Sequence, residues 1–115
     1  MRTIADPARL DRMFFALADV HRRGMLERLS RGPASVSELA EPLGIALPSA
    51  VKHLAVLEEG GFVASRKVGR VRTYTVEPKA LDAMEAWVAR RKLLLNAQLD
   101  RPDAYLAEQK GKATR

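Results

Sequence analysis

Residues Ala46 to Gly61 decide the fold, and they read A-L-P-S-A-V-K-H-L-A-V-L-E-E-G-G. Its apolar residues Ala50, Leu54 and Leu57 recur at i, i+4 and i+7, which predicts an amphipathic helix with one buried stripe. The two glycines at its end favour termination because glycine accepts left-handed backbone angles. The opposite side carries Ser49, Lys52, His53 and Val56. Such a face suits the major groove of DNA, where phosphates attract cations and base edges require donors and acceptors. A solvated surface helix explains this stretch alone equally well.

The residues before this helix predict a shorter helix and a tight turn. Gly32-Pro33 breaks the chain, and the S-x-x-E pattern from Ser35 to Glu38 has the form of a capping box. The helix that it opens would bury Val36, Leu39 and Leu43 and would end near Pro42–Gly44. Residues 35–61 therefore form a predicted helix-turn-helix.

After Gly61 the apolar period changes from that of a helix to two. Residues 62–68 and 70–76 are rich in β-branched and aromatic side chains, and Gly69 separates them, so we expect a β-hairpin over 62–76 with Tyr74 packed at its base. Cations also protect edge strands from aggregation, but four within seven residues exceed that need. A basic hairpin after a recognition helix is typical of a wing that binds phosphates or the minor groove. The four cations are Arg66, Lys67, Arg70 and Arg72.

Three further helices are expected outside this region. Asp6-Pro7 is a typical helix start, and Asp19 is a candidate cap for a second helix that ends at Arg31, so residues 6–31 hold two helices. Arg22 and Arg23 would then oppose the dipole of the second helix, and we expect them to be solvated or ion-paired, with phosphate contact as the alternative. Pro78 opens a long helix over 78–100. The tail, 101–115, contains a candidate short helix at 104–109 and a basic end.

The composition limits the classes of protein and of partner. The chain has 115 residues, 47% hydrophobic and 30% charged, which favours one soluble globular domain. No apolar run approaches the roughly 18 residues that span a bilayer, and no signal peptide is evident, so we expect a cytoplasmic protein that does not bind membranes. The net charge of +6 favours a polyanionic partner, which on charge alone is either nucleic acid or an anionic membrane surface.

Catalytic and metal sites are not expected. The absence of cysteine excludes disulfides, thiolate zinc sites and cysteine nucleophiles. The two histidines lie far apart in sequence, and no Gly-rich phosphate loop is present, so no nucleophile, base and orienting residue can be assembled. Asp82 and Glu85, three residues apart on the last helix, are interpreted as a solvated face. We therefore expect neither an enzyme nor a cofactor.

A series of short segments recurs in a characteristic order across roughly residues 8–100. The segments are Leu17-Ala18-Asp19 with Arg22-Arg23, Ser37-Glu38-Leu39-Ala40, Lys52-His53-Leu54, Leu57-Glu58, Gly61-Phe62-Val63 and Gly69-Arg70-Val71-Arg72-Thr73-Tyr74. In this order and spacing the chain resembles the ArsR-type winged-helix transcriptional regulators, in the subgroup without metal-binding cysteines. The resemblance implies a homodimer that is paired through its first and last helices and that reads an inverted repeat in double-stranded DNA. Most members repress, and release DNA when an effector binds; no effector is identifiable here.

The chain departs from the family pattern at two positions. Ala46 stands where a serine commonly caps the recognition helix, and the missing capping oxygen costs on the order of 1 kcal/mol. Val51 stands where a hydroxyl residue is usual, which favours contact with a thymine methyl group over a hydrogen bond. These departures support an alternative function, a winged-helix protein-interaction module without operator specificity.

The sequence thus predicts an α+β winged helix-turn-helix, mostly helical with a small hairpin, in the order α-α-α-α-β-β-α. Its predicted DNA-binding residues are Ser49, Lys52, His53, Arg66, Lys67, Arg70 and Arg72. The predicted dimer interface, from the surplus apolar surface of the first and last helices, comprises Leu10, Met13, Phe14, Leu17, Met84, Trp87 and Val88.

Overall fold

The computed structural model describes residues 6–99, in which there are five α-helices and three short β-strands. A single 3₁₀ turn, Glu41–Leu43, joins α3 to α4. The elements are α1 Pro7–Leu17, α2 Val20–Leu29, β1 Ala34–Ser35, α3 Val36–Ala40, α4 Leu47–Glu59, β2 Val63–Val68, β3 Val71–Val76 and α5 Pro78–Leu99. Residues 1–5 lie outside the described residues, and so does the tail 101–115 with its predicted short helix.

The helix starts form where the sequence placed them. The Asp6 carboxylate accepts a hydrogen bond from the Ala8 N–H at 3.1 Å. In the capping box of α3, the Glu38 N–H donates to Ser35 Oγ and the Ser35 N–H donates to Glu38 Oε1, at 3.3 and 2.9 Å. Ala46, at the start of α4, provides no side-chain cap. Each of these starts depends on neighbouring residues only, which is why a sequence pattern predicts it.

The sheet has one strand more than predicted. All three strands are antiparallel in the order β1-β3-β2, with Ala34 opposite Tyr74 and Val63 opposite Val76. Gly69, at the tip of the hairpin, has a φ of 62°, which glycine adopts without strain. The predicted order α-α-α-α-β-β-α is therefore corrected to one with β1 before α3. With two residues, β1 is too short to show an alternating pattern.

The core lies between the helices and the base of the hairpin. Its largest fully buried side chains are Phe62, Met13, Met25, Leu39, Leu54 and Leu57. α1 and α4 approach closely at Gly60, where an added Cβ would lie 3.0 Å from Ala16 Cβ and 3.2 Å from the Arg12 carbonyl oxygen. This contact fixes α4 against α1 and leaves its opposite face exposed.

The chain divides into two compact units, residues 1–84 and 85–115. The second is described only for 85–99, the C-terminal part of α5. There the guanidinium of Arg91 lies 4.6 Å from the centre of the Trp87 ring, and Leu93 and Leu95 are 68% and 62% exposed. Within residues 6–99, no helix is long and apolar enough to cross a membrane.

Candidate nucleic-acid interface

α4 has one buried and one exposed face, as its sequence pattern predicts. Ala50, Leu54 and Leu57 are fully buried against the rest of the domain. Ser49 and Lys52 are exposed on the other side. Leu47 and Val51, 50% and 48% exposed, add apolar surface to this face. The exposed face therefore combines a cation, a hydroxyl group and apolar contact surface, the three side-chain types that read base edges in a major groove.

His53 differs from Ser49 and Lys52 because part of its ring contacts the protein. Its side chain is 20% exposed, and Arg22 Nη1 lies 3.1 Å from His53 Nδ1. A guanidinium only donates hydrogen bonds, so Nδ1 is the acceptor and the proton of the neutral ring is on Nε2. The His21 ring lies beside it, with centroids 5.6 Å apart. Sequence reasoning placed His53 on the DNA face, with a partly buried spacer as the alternative, and did not identify Arg22 as its partner.

Arg22 is buried, with 8% of its surface exposed. Its Nε donates to the Ala16 carbonyl oxygen at 2.7 Å and its Nη2 to that of Phe15 at 2.9 Å. Both carbonyls belong to the last turn of α1, where an α-helix leaves its carbonyl groups without partners in the helix. Arg22 was expected to be solvated or ion-paired, with phosphate contact as the alternative. Its burial contradicts a solvated side chain, and its guanidinium is directed inward to carbonyl groups and to the His53 ring. Arg23 is exposed and donates to the Leu17 carbonyl oxygen at 2.8 Å.

Asp19 connects this cluster to the start of α2. Its Oδ1 accepts hydrogen bonds from the His21 and Arg22 N–H groups at 2.8 and 3.1 Å and lies 4.0 Å from His53 Nδ1. Burial is the largest single influence on the pKa of Asp19 and raises it. The hydrogen bonds from the Arg22 and His21 N–H groups, with electrostatic contributions from His53 and Arg22, outweigh burial and hold the pKa of Asp19 below its ordinary value. The carboxylate therefore stays ionised at neutral pH and offsets the cations of the first turn.

The wing presents its cations to solvent. Arg66, Lys67 and Arg70 are exposed, and none of the described residues forms a side-chain hydrogen bond or ion pair with them. Lys67 lies directly opposite Arg72 across the strands. Like charges at such positions destabilise a hairpin, and a polyanion bound to the wing would relieve their repulsion.

Arg72 also has a partner inside the protein. Its Nη1 donates to Ser65 Oγ at 2.8 Å, and Ser65 Oγ donates to Glu58 Oε2 at 3.2 Å. These bonds connect the wing to the last turn of α4. Sequence reasoning missed Glu58 and Ser65, because nothing in their local pattern marks them. Tyr74 packs at the base of the wing as predicted, and its burial, with the nearby Glu58 carboxylate, raises its pKa against the opposing effect of Arg72.

Known proteins are similar to this chain in sequence and fold. A family model described as a helix-turn-helix domain matches residues 17–66. The HTH-type transcriptional regulator Rv2034 of Mycobacterium tuberculosis is 42% identical over 74 residues, which are 64% of this chain and 69% of that protein. A crystal structure of the ArsR family transcriptional regulator RHA00566 superimposes with a TM-score of 0.75 and 50% identity, over 78% of this chain and 93% of that one. The chain belongs to the ArsR family of winged helix-turn-helix transcriptional regulators.

Another ArsR-type structure describes an assembly. The solution structure of a homodimeric winged helix-turn-helix DNA-binding domain from Mycobacterium bovis is 28% identical, with a TM-score of 0.60, and the match covers 76% of this chain and 82% of that one. The present ArsR-family chain has no cysteine. Within its described residues, no group of three or more His, Asp or Glu side chains could hold a metal ion.

The predicted dimer-interface residues of this ArsR-family chain lie in different environments. Phe14 and Val88 are 42% and 41% exposed. Met13 is 1% exposed and lies in the core of the single chain. It could therefore support the side chains of an interface but could not contact a partner directly. Leu10, Leu17, Met84 and Trp87 are half-buried.

Proposed function

We propose that this ArsR-family chain is a homodimeric, sequence-specific DNA-binding repressor with an inverted-repeat operator. The observation that carries the proposal is the exposed face of α4, with Ser49 and Lys52, followed directly by a wing whose cations point to solvent. The two surfaces supply the two requirements of a specific complex, which are base-edge readout and attraction to phosphates.

In the proposed complex α4 lies in the major groove. Lys52 and Ser49 provide hydrogen bonds to base edges and nearby phosphates, and Val51 contacts a thymine methyl group. His53 contributes a phosphate contact through Nε2, since Nδ1 already accepts from Arg22. The missing side-chain cap at Ala46 leaves N–H groups in the first turn of α4 available to a phosphate.

The wing holds the DNA backbone. Each phosphate neutralised by Arg66, Lys67 or Arg70 adds about 0.9 to the slope of log affinity against log salt. Arg72 contributes charge and, through Ser65, keeps the wing joined to α4.

Dimerisation would bring two copies of α4 to successive major grooves, about one helical turn apart. Exposed apolar side chains on the first and last helices support a homodimer, since Phe15 is 62% exposed in addition to Phe14 and Val88. The predicted interface is Leu10, Met13, Phe14, Leu17, Met84, Trp87 and Val88. The homodimeric state of the Mycobacterium bovis relative agrees with this assembly.

A second candidate is a protein-interaction module without operator preference. The exposed leucines near the end of α5, Leu93, Leu94, Leu95 and Leu99, favour it, because exposed apolar patches mark interaction sites. The interaction module and the repressor make different predictions, because the module would bind all DNA sequences with equal affinity.

Fluorescence anisotropy with the DNA upstream of the protein's own gene and with scrambled DNA, over a salt series, tests the proposal. We expect a preference of about a thousandfold or more for the upstream fragment. Equal and steeply salt-dependent binding to both fragments would contradict operator specificity and favour the interaction module.

Two variants separate readout from attraction. Lys52→Ala should weaken binding to the upstream fragment more than binding to scrambled DNA, because it removes a base contact. Arg70→Ala should weaken both about equally and reduce the salt slope by roughly one unit. Equal loss on both fragments for Lys52→Ala would remove Lys52 from base readout.

A further inference from the structure

The strongest polar cluster outside the DNA-facing surface lies where α1, α2 and α4 meet. We call it the helix junction and define it by Ala16, Asp19, Arg22, His53 and Gly60. Arg22 is at its centre and makes three hydrogen bonds, to the carbonyl oxygens of Phe15 and Ala16 and to the His53 ring. A charged side chain that is largely removed from water needs several well-placed acceptors to offset its lost hydration. Because one planar guanidinium donates to all three acceptors, the positions of the three acceptors depend on one another.

Two of these acceptors belong to α1 and the third to α4. Arg22 fixes the end of α1 by binding its last carbonyl groups, and it fixes α4 through the ring of His53. The close contact of Gly60 with Ala16 Cβ and the Arg12 carbonyl holds the other end of α4 against α1. α4 is thus held on α1 at two points along its length, and only the point at His53 is a directional polar contact.

We propose that Arg22 and His53 are a positioning pair, in which the Arg22 guanidinium holds His53 Nδ1 and thereby sets the orientation of α4 on α1 that operator preference requires. The proposal rests on the proposed function, and it assigns to His53 a role separate from direct contact with DNA. A change in α1 would reach α4 through this bond.

The bond needs a neutral imidazole. A proton on Nδ1 would remove the acceptor and place a second cation beside Arg22. The groups that face the ring are Asp19, whose Oδ1 lies 4.0 Å from Nδ1, His21, whose ring lies 5.6 Å away between centroids, and Arg22 itself.

Substitutions at His53 separate positioning from DNA contact, because they retain different ring atoms. In His53→Asn the side-chain oxygen occupies the position of Nδ1 and accepts from Arg22, but nothing replaces Nε2. In His53→Gln the amide reaches the position of Nε2, and the acceptor at Nδ1 is lost. His53→Ala removes both, and Arg22→Lys removes the guanidinium while retaining the charge.

The readout is the ratio of affinities for the upstream fragment and for scrambled DNA, measured on the full chain, because that ratio is independent of the folded fraction. We expect His53→Ala, His53→Gln and Arg22→Lys to reduce the ratio about tenfold, the effect of one hydrogen bond to a charged group. His53→Asn loses the phosphate contact of Nε2 on both DNAs alike, so the two affinities should fall together and their ratio should stay within about threefold of that of the unmodified protein.

Retention of the ratio by His53→Gln with loss in His53→Asn would overturn the proposal, because His53 would then act by contacting DNA. So would equal loss in His53→Asn and His53→Ala, or an unchanged ratio in all four variants. If the unmodified protein shows no operator preference, the proposed function fails, and hydrogen exchange of the DNA-free protein still tests the pair. Amides of α4 and of the end of α1 should exchange faster together in His53→Ala and Arg22→Lys but not in His53→Asn. Unchanged exchange in all variants would overturn the pair.

Discussion

The helix junction and the wing use positive charge in opposite ways. In the helix junction Arg22 is 8% exposed and its guanidinium donates to three acceptors. In the wing Arg66, Lys67 and Arg70 are exposed, and within residues 6–99 they have no polar side-chain partner. A cation with several internal acceptors fixes geometry, whereas a cation in solvent attracts a polyanion at a distance. Basic side chains therefore fix the packing of the helices in the helix junction, whereas in the wing they provide affinity for a polyanion.

Arg72 lies between these two extremes. It is exposed like the other wing cations, but it donates to Ser65, which in turn donates to Glu58 on α4. Surface hydrogen bonds and ion pairs contribute little to stability. We therefore expect the two hydrogen bonds from Arg72 through Ser65 to Glu58 to orient the wing rather than to stabilise the fold. The comparison of the two regions can be tested by substitutions that alter one and spare the other.

The largest expected effect is at Gly60 in the helix junction. Gly60→Ala should lower the free energy of unfolding by about 1 to 3 kcal/mol, because the added Cβ would meet Ala16 Cβ at 3.0 Å and the Arg12 carbonyl oxygen at 3.2 Å. Urea denaturation at fixed protein concentration measures it.

Gly24→Ala is the matched control, since Gly24 lies within α2 and its Cβ would meet only the end of the flexible Leu43 side chain, at 3.1 Å. There the gain in helix propensity, up to about 1 kcal/mol, should balance or exceed the crowding. Equal destabilisation by the two substitutions would contradict the prediction that the close approach of α1 and α4 makes Gly60 the more sensitive position.

The next effect concerns Asp19. Asp19→Ala should cost about 1 kcal/mol at neutral pH, the usual contribution of a helix N-cap. The pKa of Asp19 is lower in the folded protein than in an unfolded chain. Its ionic contribution is therefore present above the ordinary aspartate pKa of about 3.9 and is lost as the pH falls below it.

Urea denaturation from pH 7 to pH 3 should thus show a constant difference between Asp19→Ala and the unmodified protein down to about pH 4, and a smaller difference below it. Asp19→Asn retains an acceptor for the His21 and Arg22 N–H groups and tests the charge alone. A difference that grew on acidification would contradict the lowered pKa.

How far the sequence predicts this molecule depends on how local each contact is. The caps at Asp6, Asp19 and Ser35, the buried stripe of α4 and the turn at Gly69 involve residues a few positions apart, and all were predicted. The bond between Arg22 and His53 joins residues 31 positions apart. No local period marks such a pair, so Arg22 was expected to be solvated or ion-paired, whereas it is buried.

The candidate site follows the same rule. Exposure of Ser49 and Lys52 follows from the helical period of α4, and exposure of the wing cations follows from the position of the turn. The inward contact of His53 and the link from Arg72 through Ser65 to Glu58 depend on how α2, α4 and the hairpin pack together. One signal was available, because Asp19 three residues before Arg22 places a carboxylate where it can offset a buried cation.

The smallest expected effect is in the wing and concerns Lys67, which lies opposite Arg72. Lys67→Glu replaces a repulsive cross-strand pair by an attractive one and should stabilise the protein by about 0.2 to 1 kcal/mol, at the lower end because both side chains are exposed. Arg66→Glu is the matched control, since Arg66 lies opposite Thr73 and offers no such gain. Both variants should bind DNA more weakly and reduce the salt slope by about one unit or more. A gain in stability with unchanged DNA affinity would show that Lys67 does not bind a polyanion. The contrast between the solvent-exposed cations of the wing and the buried Arg22 of the helix junction would then not apply to Lys67.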